Sequence, residues 1–227
     1  MRQTFGVALA LSLSLFLHRP VLAQPAPAPA VSVGLAIDTS ASMGAKWASV
    51  LEVGETILGV LQPHDEAFLL EFNDRPSLRQ DYTDDAFLLR QGLKRLHAQG
   101  QTALYDAVRE AMLKLWKGQR PQKVLFIITD GNDDYSTYSL KGSIELAKSY
   151  HIPIYAIGIG DPQAWNPWLN PLTLVSNQTD KRVVSAPLQQ LTTETGGTYL
   201  LLNLADGKSK PAVLLQLHAL IAKEVRK

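Results

Sequence analysis

Asp38, Ser40 and Ser42 stand at alternate positions of the run Asp38-Thr39-Ser40-Ala41-Ser42-Met43-Gly44, which puts three side-chain oxygens into one short turn. Thr102, in Gly100-Gln101-Thr102, adds another hydroxyl, and Asp130 a second carboxylate. All five are oxygen donors with no His or Cys among them, so the fitting ions are hard ones: Mg²⁺ first, with Mn²⁺ or Ca²⁺ as alternatives. Mg²⁺ takes about six oxygens, and this set offers three neutral hydroxyls and two carboxylates. If a carboxylate contacts the ion through water, the ion keeps much of its charge and an open position. A carboxylate from another molecule can then complete the shell, so the chemistry to expect is recruitment of an acidic ligand. Asp38, Ser40 and Ser42 could instead merely cap a following helix, but that leaves Thr102 and Asp130 unexplained.

Two strands and the start of a helix must position these residues. VSVGLAID ends at Asp38, and KVLFIITD ends at Asp130; both are short apolar runs of the kind that form buried parallel strands. Trp47, Val50, Leu51, Gly54, Leu58 and Leu61 recur at helical spacing until Pro63, and EAFLLEF predicts a strand over Glu66–Phe72. Asn73 to Pro76 predicts a turn into a short antiparallel edge strand around residues 77–80. Thr83 can cap a helix running toward Leu96. Leu104, Ala107, Val108, Ala111, Met112, Leu115 and Trp116 follow Thr102 with the clearest amphipathic period in the chain. A helix over residues 139–150, the strand IPIYAIGIG, a long Pro/Asn/Trp-containing loop over 161–186, a strand over 197–203 and a helix over 212–225 complete the pattern. Strands alternating with helices predict an α/β fold, an open and mostly parallel sheet covered on both faces, with ligands beyond the carboxyl ends of the strands.

DTSASMG resembles the DxSxS core of the metal-ion-dependent adhesion site of von Willebrand factor A domains, which integrin inserted domains share. GQTALYDAV resembles the family's second segment, with Thr102 as its threonine, and FIITDGND the third, with Asp130 as its aspartate. EFNDRP and ITDGNDDYS also resemble bacterial exported members. The resemblance implies a Rossmann-like sheet of about six strands with one antiparallel edge strand. It implies Ser40, Ser42 and Thr102 as direct ligands, Asp38 and Asp130 often acting through water, and tight turns at Gly44 and Gly131. The likeness covers most of the chain from Val31 to about Gly160 and weakens through 161–186.

Composition narrows the function classes. The chain has 227 residues, 46% hydrophobic and 19% charged, enough for one domain with a sizeable core. Residues 1–23 predict a signal peptide: basic Arg2, an uncharged run over 5–17, and small side chains at Val21 and Ala23. Residues 24–30 predict a Pro/Ala linker and 31–227 the domain. Setting aside Arg2 and Arg19 leaves 20 basic against 21 acidic residues, which gives no drive toward nucleic acid or anionic lipid. The apolar run is too short to span a bilayer, so no membrane insertion is expected after cleavage. The expected location is outside the cytoplasm, periplasmic or secreted. With no cysteine there are no disulfides, thiolate sites or Cys nucleophiles.

The reading is a binding module without catalysis, whose divalent cation recruits the Asp or Glu of a protein partner. One alternative is a metal-independent scaffold that binds through Trp165 and Trp168, since tryptophan is favoured at binding hot spots. Another is a metal-assisted hydrolase with Asp133, Asp134 or Asp74 as its base. Asp133 and Asp134 otherwise serve as loop or helix-cap residues. Ser40 stands where a haloacid-dehalogenase-type phosphatase needs its second Asp, which counts against phosphoryl transfer.

Overall fold

Strand β1 (Val31–Asp38) is buried along its whole length, and its two faces differ in size. Val31, Val33, Leu35 and Ile37 point into one core, whereas Ser32, Gly34 and Ala36 make a shallow face on the other side. The shallowness has a use: a Cβ on Gly34 would lie 2.8 Å from the Phe68 ring, so glycine lets that ring cross the strand. A computed structural model describes residues 29–160, 181–203 and 209–224. The predicted signal peptide, most of the linker, and Trp165 and Trp168 lie outside these residues.

After β1 come a 3-10 turn (Ala41–Lys46), α1 (Trp47–Gly59), β2 (Glu66–Phe72), β3 (Pro76–Thr83), α2 (Ala86–Lys94) and α3 (Leu104–Trp116). Then follow β4 (Gln122–Thr129), α4 (Leu140–Tyr150), β5 (Ile154–Gly160), α5 (Lys181–Glu194), β6 (Tyr199–Asn203) and α6 (Ser209–Glu224). The six strands lie in the order β3-β2-β1-β4-β5-β6. Every pairing is parallel except β2 with β3, which is the antiparallel edge that Pro76 and the polar residues after it predicted. The α/β expectation of a six-stranded, mostly parallel sheet with one antiparallel strand holds.

Helices cover both faces. Val50, Val53 and Ile57 of α1, Leu89 and Leu93 of α2, and Leu217 and Ile221 of α6 build one core; α3, α4 and α5 build the other. Adjacent strands β1 and β4 therefore send their chains to opposite faces, and the divergence opens a crevice beyond Asp38 and Thr129. Among the described residues no helix is long and apolar enough to cross a membrane.

Several local expectations shift. Asp85, not Thr83, caps α2 by accepting from the Phe87 amide, while the Thr83 hydroxyl accepts from Asp85 N–H. Trp116, counted with the buried stripe of α3, is 58% exposed and stacks on Tyr150 with ring centroids 4.7 Å apart. The expected loop over 161–186 ends sooner, because residues 181–186 begin α5. Pro187 hides that helix in the sequence by removing a helical N–H, yet Leu188 and Leu191 are buried against the second core.

Candidate functional site

The end of β1 carries Asp38 to the crevice floor, where its carboxylate is fully buried. Its oxygens are held separately: Ser40 N–H donates to Oδ1 at 2.8 Å and the Thr129 hydroxyl to Oδ2 at 2.7 Å. Thr129 in turn accepts from Gly131 N–H at 3.0 Å, so the ends of β1 and β4 are coupled through one hydroxyl. Gly131 has φ 91°, a left-handed backbone that favours glycine and lets the chain fold back over Thr129. Gly44, for which the same freedom was expected, sits in the 3-10 turn without a positive φ, and an added Cβ would make only ordinary contact with Ala98.

Burial pushes the Asp38 carboxyl up to about 6; the neighbouring charge of Asp130 adds to the rise, and the hydrogen bonds from Ser40 and Thr129 oppose it. β1 and β4 run side by side with Ile37 opposite Ile128, so Asp38 and Asp130 stand at the ends of adjacent strands. Ser40 and Ser42 converge as well, with hydroxyls 3.0 Å apart; Ser40 is buried and Ser42 exposed at the rim. The Asp130 side chain is 6% exposed, and Oδ2 accepts from the Lys46 ammonium at 2.7 Å.

Thr102 arrives from a different part of the chain, and the surrounding loops are stitched by backbone bonds. Gln99 N–H donates to Thr39 O, Ala41 N–H to Gly100 O, and Ala103 N–H to Asn73 O. Gly100 takes φ 76°, and a Cβ there would lie 2.8 Å from an Asp74 oxygen that accepts from Gln101 N–H. The loop after β4 completes the clamp. Asp134 accepts from Thr102 N–H while Thr102 O accepts from the amides of Asp134 and Tyr135. Asp133 accepts from Leu104 and Tyr105 N–H, at the positive end of α3. Asp133 thus caps the helix that follows Thr102, and Asp134 fastens Thr102 itself.

The structure gathers Asp38, Ser40, Ser42 and Asp130 at the carboxyl ends of β1 and β4 and pins buried Thr102 to the loops beside them. Thr129 and Lys46 join the site unforeseen. A threonine ending an apolar strand and one lysine after a serine-rich turn carry no signal of their own; only the fold brings them to the carboxylates. Among the described residues no three His, Cys, Asp or Glu side chains form a cluster that could hold a metal. A metal held here would depend on the hydroxyls, and two carboxylates with three hydroxyls suit a hard dication.

Residues 33–132, which contain all five of these side chains, match the model of the von Willebrand factor type A domain. No curated protein matches the sequence. Among solved structures, the vWF domain of the type V pili tip protein Mfa5 from Porphyromonas gingivalis is 14% identical with a TM-score of 0.66, over 89% of this chain and 98% of that one. The von Willebrand factor type A structure from Catenulispora acidiphila is 18% identical with a TM-score of 0.65, over 85% of this chain and 42% of that one. The conserved hypothetical protein BatB from Bacteroides thetaiotaomicron is 16% identical with a TM-score of 0.61, over 85% of this chain and 100% of that one. At such identities the likeness is one of fold, and it extends through the helices beyond the matched segment. Residues 33–132 thus resemble the von Willebrand factor type A domain in sequence, and the six-stranded fold that contains them is the fold of solved domains of that type.

Proposed function

We propose that this chain is an exported, metal-dependent protein-binding module, in which a divalent cation at the β1/β4 crevice recruits an Asp or Glu side chain of a partner. The observation that carries the reading is a fully buried carboxylate, Asp38, at the end of β1 beside the strand that leads into Asp130, with the Ser40 and Ser42 hydroxyls 3.0 Å apart in the turn that follows it. Two carboxylates in a desolvated crevice call for a cation. The Ser40, Ser42 and Thr102 hydroxyls supply neutral donors, so a bound dication keeps part of its charge for an incoming carboxylate. Mg²⁺ is the ion that we assign, with Mn²⁺ as its laboratory substitute.

Export rests on residues 1–23 of the sequence. That Mfa5 is a pili tip protein supports a role in contacts outside the cell. Against the hydrolase alternative stand the partners of its candidate bases: Asp74, Asp133 and Asp134 each accept from backbone N–H groups, which makes them loop fasteners.

Calorimetric titration with Mg²⁺ and Mn²⁺ tests the reading. Saturable one-site binding is expected in the wild type and its loss in Asp130→Ala and Ser40→Ala. A wild type that binds neither ion, alone or with an acidic peptide, overturns it.

A further inference from the structure

Lys46 is the last residue of the 3-10 turn (Ala41–Lys46), which runs without a break into α1. Its side chain makes no capping bond; the ammonium reaches Asp130 Oδ2 at 2.7 Å. The pair is uneven: Asp130 is 6% exposed, whereas Lys46 is 21% exposed on a flexible four-carbon stem, so the lysine can leave and the aspartate cannot.

We propose that Lys46 is the resident cation of this site: it pairs with Asp130 while no metal is bound, yields that carboxylate to an arriving divalent ion, and then pairs with the carboxylate of the acidic partner. The inference rests on the metal-binding reading above. The charges agree with it. Asp38, Asp130 and Lys46 together carry one net negative charge when both acids are ionised, and Asp74 and Asp134 on the loops around Thr102 add to it. A dication turns the balance of the three central groups to one net positive charge, which favours an acidic ligand at the ion. Before that, Lys46 both occupies Asp130 and repels the incoming ion, and it holds metal affinity below what the oxygen set alone would give.

The test is Mn²⁺ calorimetry on the wild type, Lys46→Met, Lys46→Arg and Asp130→Ala, in chloride and in acetate at one ionic strength. Lys46→Met is expected to bind Mn²⁺ roughly tenfold more tightly than the wild type, the effect of removing one partly buried, charge-assisted competitor. Lys46→Arg, which keeps charge and reach, should bind no more tightly than the wild type. Acetate, the simplest carboxylate ligand, should tighten Mn²⁺ binding in the wild type more than in Lys46→Met. If Lys46→Met impairs folding by circular dichroism, Lys46→Gln takes its place. Equal Mn²⁺ affinity in the wild type and the neutral variant, with binding lost in Asp130→Ala, overturns the inference and leaves the metal reading intact. An equal acetate effect overturns the second role of Lys46. No binding by any folded variant, in chloride or acetate, overturns inference and metal reading together.

Discussion

At the scale of single residues, Asp38 sets the behaviour of the site with pH. Its folded-state pKa of about 6 lies above the ordinary carboxylate value, so the folded chain holds this proton where the unfolded chain has lost it. Its contribution to stability is fully present below about pH 4 and is lost as pH rises through about 6, a change of roughly 3 kcal/mol. In chelator, this group therefore makes the metal-free protein less stable near neutrality than in mild acid. Asp38→Asn keeps the shape without the buried charge and is expected to raise the melting temperature in chelator at neutral pH while abolishing metal binding. A divalent ion must displace the proton, so metal affinity should rise with pH across the same window. Thermal melts and Mn²⁺ titrations between about pH 5 and 8 check both signs; affinity flat with pH would mean that Asp38 is ionised before the metal arrives.

At the scale of elements, the loop after β4 serves the site by holding α3. Asp133 accepts from two first-turn amides of that helix, and Asp134 from Thr102 N–H just before it. Asp133→Ala leaves the Leu104 amide without its acceptor, while Tyr105 N–H keeps the Ser136 hydroxyl, and is expected to cost about 1–2 kcal/mol of stability, as lost helix caps do. It should also weaken Mn²⁺ binding, because the first turn of α3 beside Thr102 is loosened although Asp133 is not one of the proposed ligands. Urea unfolding together with a Mn²⁺ titration tests both effects. Glu110→Ala is the control: on an exposed side chain of α3 that pairs with adjacent Arg109, it should change neither. The loop was legible as acidic and as a source of caps. Which helix it caps was not, because Asp133 and Leu104 are far apart in sequence and meet only when β4 lies beside β1.

For the whole molecule, one sheet carries two cores, and the crevice exists because both are built. Ile57 of α1 and Met112 of α3 are fully buried on opposite faces. Ile57→Ala and Met112→Ala should each cost about 2–5 kcal/mol, and their effects should add, since the sheet keeps them from sharing a partner. Urea unfolding followed by circular dichroism and by tryptophan fluorescence should give one coincident transition; separated transitions would mean that the faces fold as independent units. Apolar runs and helical spacing in the amino-acid sequence alone determined β1, β2, β4, β5, α1, α3 and the layered α/β class, because burial on two faces leaves a local periodic trace. The DxSxS turn, Thr102 and Asp130 were legible for a similar reason: each lies where a predicted strand ends or a helix begins. Helix α5 was hidden by Pro187, and its burial comes from β5, β6 and α4 rather than from its own composition. Only the tertiary structure decided that Thr129 bridges Gly131 to Asp38, that Asp134 fastens Thr102, and that Lys46 answers Asp130. These are pairings between single polar side chains distant in sequence; one residue leaves no period, and its partner is chosen by the sheet order.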